Sequence, residues 1–342
     1  MVIVSDGARR AGARRMTEVA DQARVSPATV SRVLNNTGNV RADLRARVLA
    51  AVGRLDYHPD AIAQSLRRRL THTLGVVVPK ITNTFYTDAV RGIEEAALRR
   101  GYTVLLCSSN EDFQRERRYL ELMRSKRVDG VILSPSHGPA DRFAPLVRDQ
   151  VPIVLMHRRV ADIVADAVVV DNRGGTRQAI RHLAERGYAA VGMIAGPLTL
   201  STIAERHAAF CEALAEHHLP ADDDLVAFAE YDEASGTAAA ARLLDRRPPP
   251  RAIFVALNVL MLGVLRAVQS RGLRVPDDVA LVGFDDLRWA TVVTPPLTMV
   301  AEPTFEVGER AAEMLIERVE GYGPATPRVE VLKPTLVVRG SS

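Results

Sequence analysis

The sequence predicts a small all-α helix-turn-helix domain at the N-terminus, followed by an α/β body of two doubly wound parallel-sheet lobes. Three observations carry that expectation. Two short helical stripes are joined by a turn near the start of the chain, nine short apolar runs alternate with helical segments after residue 71, and the charge divides unevenly along the length. A chain of 342 residues is too long for one ordinary core. Its 47% hydrophobic and 25% charged content excludes wholesale disorder and fibrous repeats. The first seventy residues hold 13 Arg, no Lys and 6 acids, a net of +7, whereas the remainder has 32 bases against 35 acids, a net of −3. A basic head on a nearly neutral body points to a head that meets a polyanion.

Within MTEVADQARVSPATVSRVLNN (16–36), Val19, Ala20 and Ala23 make one helical stripe, and Val30, Val33 and Leu34 make another. Ser26 suits an N-cap, and Pro27 suits the first helical position, where its missing N–H would have had no partner. Ala20 is small where the two helices must approach, and Val25 can plug the turn. A third helix over 41–57 brings Leu44, Val48, Val52 and Leu55 to a three-helix core. The second helix of such a unit lies in the major groove of double-stranded DNA with its N-terminal residues at base edges, so Pro27, Ala28 and Arg32 are the expected readers. Arg32 has the donor fork that pairs with guanine, and Pro27 and Ala28 offer the apolar contact a thymine methyl takes. Thr29, Ser31 and Asn35 suit phosphate contacts, which set position rather than sequence.

After residue 71 the apolar runs fall at 74–79, 103–109, 129–135, 151–157, 166–172, 190–196, 225–231, 252–258 and 279–286. Helical patterns separate most of them, which means parallel sheets covered on both faces, repeated as two lobes. Ligands of such folds sit beyond the carboxyl ends of the strands, where apolar runs turn polar. Those places hold Asn83, Phe85, Tyr86, Ser108, Ser134, His157, Arg158, Asp171, Asn172, Tyr231, Asn258 and Asp285. Arg206 and Phe210 follow the loop after Gly196, and Trp289 follows Asp285. A guanidinium fork, a carboxylate, an amide and aromatic faces suit a polyhydroxylated ligand. Arg206 with Asp285 also reads as a structural ion pair, and His157 as a core or surface histidine.

The run TEVADQARVSPATVSRVLNN, the following VRADLRARVLAAVGRLDYHPDAIAQSLRRRLTHTLGVVVP and the remainder of the chain resemble the LacI/GalR family of bacterial repressors. VSxATVSRVLN is the most specific part. The resemblance implies a helix-turn-helix domain over 15–58, a hinge helix and linker over 59–70, and an effector-binding and dimerisation domain over 71–342, while residues 1–14, with Arg9, Arg10 and Arg14, lie outside the family pattern and read as a loose basic arm. It implies a periplasmic-binding-protein-like (type I) body with three crossovers, the first lobe spanning about 71–170 and 297–322, the second about 171–296 and 328–340. It also implies a homodimer on a near-palindromic operator, with the hinge from Pro59 to Leu66 a helix in the minor groove and Leu66 wedged at the operator centre. An apolar residue beside Arg67, Arg68 and Arg69 suits that role, since cations hold the flanking phosphates. NTFYTDAVRGIEEA, ERHAAF and VGFDD carry over Phe85, Tyr86, Arg206 and Asp285 as effector residues, and Tyr231 matches a position where an aromatic stacks on ligand.

Several positions depart from the pattern. Arg15 and Arg41 stand where Thr and Ser often cap helices, leaving the third helix to Asn39 or water, and Asp60 follows Pro59 where Asn is usual. Leu257-Asn258 replaces an Asn-Asp pair, and His157-Arg158 replaces Asp-Arg. These changes keep three effector readings in play: a sugar or sugar derivative, a nucleoside-like molecule, and a regulator without effector response.

An enzyme is a weaker reading, because no GxGxxG opens a helix and neither a GxxxxGK[ST] nor a GxSxG motif occurs. No cofactor is implied. A secreted receptor of the same body fold would need a leader segment, and none is evident, so the cytoplasm is the expected compartment. The longest apolar runs are far shorter than a membrane crossing. Cys107 and Cys211 lack CxxC spacing, and the adjacent His217 and His218 would point apart on a helix, so no metal site is expected.

Overall fold

The computed structural model describes residues 16–34, 38–57, 70–160 and 163–342. The chain separates into two units at Thr71/His72.

The first unit is a three-helix domain of α1 (Met16–Ala23), α2 (Pro27–Leu34) and α3 (Ala42–Leu55). Val19, Ala20, Ala23, Val30, Val33, Val48, Ala51 and Tyr57 form its core, with Val25, Val52 and Leu55 packed at the margin. The backbone N–H of Thr29 donates to Ser26 Oγ at 3.2 Å, so Ser26 supplies an orphan donor of the first turn of α2 with its partner. Arg47 donates to the carbonyls of Ala23 and Arg24, closing the end of α1 against α3. The cap of α3 differs from the expectation. Arg41 occupies the N-cap position with no side-chain cap hydrogen bond, and Asn39 does not substitute for it. Arg41 instead pairs with Asp43 in the first turn through two hydrogen bonds of 3.1 Å. At the other end Asp56, with φ of 48°, turns the chain into the left-handed region that terminates helices.

The second unit contains two six-stranded sheets. In the first, β1 (Thr73–Val78) pairs with β2 (Thr103–Ser108) and β3 (Gly130–Leu133), followed by β4 (Ile153–Met156) and β5 (Asp166–Val170). In the second, β6 (Val191–Ala195) pairs with β7 (Val226–Phe228) and β8 (Ala252–Val255), followed by β9 (Ala280–Phe284) and β10 (Thr298–Ala301). The two orders are the same, 2-1-3-4-5, and all these pairings are parallel. Each of the nine apolar runs holds a strand. Helices α4 (Thr84–Arg99) and α5 (Phe113–Ser125) cover the first sheet, and α7 (Asn172–Glu185), α8 (Ser201–Glu216), α9 (Glu233–Leu244) and α10 (Asn258–Ser270) the second, with the short α6 (Ala144–Arg148) in the first lobe.

The C-terminal segments are distributed differently from the expectation. Residues 297–322 were expected on the first lobe, yet β10 pairs with β9 in the second sheet, and only α11 (Thr304–Val319) returns to the first lobe. Residues 328–340 were expected on the second lobe, yet β11 (Val329–Leu332) joins the first sheet beside β5, and only β12 (Thr335–Val337) pairs with β10. The physical reason is local anchoring. Asp166 at the start of β5 accepts from Arg318 at 2.8 and 2.9 Å and from the Arg328 backbone N–H at 2.8 Å, which sets β11 on that edge. The chain therefore crosses between lobes at Asp171, at Glu302-Pro303 and at Lys333-Pro334.

Glycine lets the helices of the first lobe meet at backbone distance. A Cβ on Gly308 of α11 would lie 1.8 Å from the Ala89 carbonyl oxygen of α4, so any side chain there would force the pair apart.

Candidate functional site

Two surfaces carry chemistry, one in each unit. On α2, Val30 and Val33 turn into the core, which leaves Pro27, Ala28 and Arg32 exposed and Ser31 half-buried on the opposite face. The spacing 27, 28, 31, 32 places these side chains one turn apart on one stripe. Thr29 is half-buried, with its hydroxyl 3.0 Å from that of Ser26, so its polar group is engaged in the cap. Asn35, Leu66 and the hinge from Pro59 lie outside the described residues, as does the arm over 1–14.

The second surface lies where the strand ends of the two lobes face each other. Asn83, the N-cap of α4, accepts the Phe85 backbone N–H at 3.0 Å. Its amide nitrogen donates across the seam to the Tyr231 hydroxyl at 2.9 Å and to Asn258 Oδ1 at 3.2 Å, and Asn258 Nδ2 donates back at 2.9 Å. Arg158 holds Glu111 through two hydrogen bonds of 2.8 Å and lies over the ring of Tyr231, 5.7 Å from its centroid. Burial, with a smaller contribution from the Glu111 charge and against the opposing Arg158 charge, pushes the Tyr231 hydroxyl up to about 12, so it stays a neutral donor and acceptor.

A buried polar cluster lies in the same seam. His157 and Asp285 each follow the fourth strand of their sheet, and both adopt left-handed backbone angles, φ of 66° and 68°. Non-glycine residues hold such angles at a cost of about 1–3 kcal/mol, and they concentrate at functional positions. The backbone N–H of each continues the ladder, to Val168 O and Val300 O respectively, so the pseudo-repeat extends to these residues. His157 stacks on Phe85 with centroids 4.0 Å apart, and its Nδ1 lies 3.4 Å from the Tyr86 hydroxyl, which also contacts Ser134 Oγ at 3.0 Å. Burial, with the Arg206 guanidinium nearby, lowers His157 to about 3, leaving the ring neutral.

Arg206 is 1% exposed and engaged by every nitrogen: Nε donates to Asn172 Oδ1 at 2.8 Å, Nη1 to the Ala256 carbonyl at 2.9 Å and Nη2 to Glu302 Oε1 at 3.1 Å. Its guanidinium lies 3.5 Å from the Phe284 ring centroid. Asp285 is farther, at 3.6 Å, so Glu302 rather than Asp285 is the closer ion-pair partner. Burial and the adjacent Glu302 carboxyl hold Asp285 well above the usual carboxylate range.

The structure thus gathers Phe85, Tyr86, His157, Arg158, Arg206, Tyr231, Asn258 and Asp285 along one seam. Phe210 falls elsewhere, and Trp289 lies at the seam's edge. Phe210, one turn beyond Arg206, packs in the second lobe's core with Phe254, and Trp289 lines a cavity of about 290 Å³ at the seam's margin with Lys80, Asn83 and Asn258. A second cavity of about 340 Å³ opens beside Arg158, Ser136 and Ser201. Glu302 and Glu111 were not anticipated. Glu302 follows the apolar run TMVA, but its place beside Arg206 is set by the crossover, and Glu111 lies three residues past a strand in an irregular turn. Leu257 packs against Gly196 in the core and offers no polar group.

Sequence comparison agrees with both units. A profile for bacterial regulatory proteins of the lacI family matches residues 15–60, and one for periplasmic binding protein-like domains matches 180–342. The ribose operon repressor of Halalkalibacterium halodurans is 35% identical over 325 residues, covering 94% of this chain and 95% of that protein. The HTH-type transcriptional repressor PurR of Aliivibrio salmonicida is 31% identical, covering 95% and 97%. Among solved structures, the transcriptional regulator CelR in complex with cellobiose superposes with a TM-score of 0.75 at 33% identity, covering 96% of this chain and all of that one. The chain belongs to the lacI family of bacterial regulatory proteins and is a DNA-binding transcriptional regulator rather than an enzyme.

Proposed function

We propose that the protein is a cytoplasmic homodimeric repressor that reads a near-palindromic operator and changes its affinity when a small polyhydroxylated effector enters the seam between the lobes. The carrying observation is the hydrogen-bonded bridge from Asn83 to Tyr231 and Asn258, because it gives the two lobes a discrete closed arrangement built from groups that a ligand's hydroxyls can replace. Two relatives support a sugar, one named for a ribose operon and one solved as a complex with cellobiose. Each α2 reads one half-site through Pro27, Ala28 and Arg32, while Thr29, Ser31 and Asn35 hold phosphates. Leu66 wedges the central base step when the paired hinges fold, and the lobe arrangement sets hinge spacing. Operator and effector must then change each other's affinity by the same factor.

The test is a thermal-shift screen of sugars and nucleosides followed by operator titration with each hit. A ligand that raises the melting point and alters operator affinity supports the reading. A ligand that binds with no effect on operator affinity contradicts it.

A further inference from the structure

The cavity of about 340 Å³ beside the seam is walled by the loops 135–138 and 158–160 of the first lobe and 198–201 of the second. None of its lining residues is acidic. At the second-lobe wall begins α8, a helix of 16 residues whose N-cap, Leu200, offers no side-chain acceptor. The first bond of its ladder runs from the Ala204 N–H to the Leu200 carbonyl at 3.0 Å, so the N–H groups of Ser201, Thr202 and Ile203 are left without a cap.

The first-lobe wall supplies cations. Arg159 is exposed and forms no ion pair with a described residue, and its backbone N–H donates to Ser201 Oγ at 3.1 Å, tying the two lobes together at the cavity. Arg158 lines the same space, with its side chain 3% exposed and its Nε without a hydrogen-bond partner. A buried donor left unpaired points to a group that the site is built to receive. The surrounding charges leave a positive remainder. Glu111 matches Arg158 through its other two nitrogens at 2.8 Å. Arg142 matches Glu116 at 2.6 Å, and that carboxylate already accepts the N–H and hydroxyl of Ser136. Arg159 and the α8 N-terminus, which carries roughly half a positive charge, are left over.

We propose that this cavity is an anion site for a phosphate group, held by the first turn of α8 and by Arg159, with Arg158 behind them. Helix N–H groups, a guanidinium fork and the Thr199 hydroxyl together offer more donors than the two oxygens of a carboxylate can take, whereas a phosphate presents three or four oxygens to them. The site is separate from the bridge of Asn83, Tyr231 and Asn258 and goes beyond the effector reading. An anion there touches both lobes and stabilises their closed arrangement, whether it is a free ion or the ester end of a sugar phosphate.

The experiment titrates inorganic phosphate into the full chain at pH 7 against potassium chloride of equal ionic strength, followed by thermal melts and calorimetry. Glucose 6-phosphate and ribose 5-phosphate are compared with their parent sugars. The expected result is a saturable rise in melting temperature that chloride does not give. Esters that bind about ten-fold or more tighter than both inorganic phosphate and the parent sugars identify an ester as the ligand, and esters no tighter than inorganic phosphate identify the free ion. Because the basic head also attracts phosphate, two variants in the body decide the assignment. Arg159→Ala should weaken phosphate by about ten-fold or more. Ser201→Asp puts a carboxylate at the start of α8, so it should abolish phosphate binding while the ligand-free protein melts at the same temperature or higher. Phosphate acting no differently from chloride, or binding that survives both variants, overturns the proposal. Neutral sugars that bind and shift operator affinity while phosphate and its esters gain nothing sink this inference alone. Phosphate binding that both variants remove, with no sugar bound, upholds this site and sinks the polyol reading.

Discussion

Asn83 and Asn258 exchange hydrogen bonds of 2.9 and 3.2 Å from opposite lobes, with each amide serving as both donor and acceptor. Both residues are buried, and Asn83 also caps α4, so one residue couples the helix start of the first lobe to the second lobe. Asn258→Ala leaves the Asn83 amide short of partners in a buried seam. The expected cost is about 1–3 kcal/mol of closed-state stability, read as a lower melting temperature with effector and operator affinities both altered. Unchanged effector titration would show that the bridge does not set lobe closure.

On α2, Arg32→Ala is expected to relax preference at one base pair in each half-site by about 1–3 kcal/mol. Binding to a panel of single-base operator variants checks this. Uniform weakening across the panel indicates a phosphate contact instead.

His157 makes a pH prediction whose sign is fixed by burial. The folded ring takes a proton only below about 3, whereas an unfolded histidine takes one below roughly 6.5. Between those values the unfolded state binds more protons, so stability falls as pH drops through the window. The wild type should therefore lose more stability than His157→Gln on going from pH 7 to pH 5, measured by urea denaturation at both values. Equal losses would place a charged or solvated imidazole at this position.

Two glycine-to-alanine changes inside helices should have opposite signs. Gly308→Ala drives a methyl group into the Ala89 carbonyl and should destabilise the body by about 1–3 kcal/mol or more. Gly53→Ala meets nothing within 4 Å on α3 and should stabilise the head by about 0.5–1 kcal/mol. Thermal melts of the two variants, followed separately for head and body, test both.

Much of this architecture was legible because it is written in local chemistry. Ser26-Pro27 marks a helix start by capping and a missing donor, and nine apolar runs mark nine strands. The lobe assignment of β10 and β11 was not legible, since each has only four residues and its sheet is chosen by distant partners, as Asp166 with Arg318 and Arg328 chooses it for β11. The seam residues at strand ends followed from the position of ligands in doubly wound sheets. Phe210 was misplaced because one helical turn from Arg206 an aromatic can face either the seam or the core, and only packing against Phe254 decides it. Glu302 escaped because its importance comes from the crossover that carries it beside Arg206, a long-range event with no periodic signal.

The central claim, that α2 reads a duplex under control of the lobed body, is tested most directly by selecting duplexes from a random pool on the purified protein. The selected duplex is then competed against its scrambled counterpart at near-physiological salt, with and without hits from the ligand screen. The account predicts a near-palindromic winner, bound at least a thousand-fold or so more tightly than the scrambled duplex, with the ratio moved by at least one ligand. Equal binding of selected and scrambled duplexes under all these conditions would contradict it.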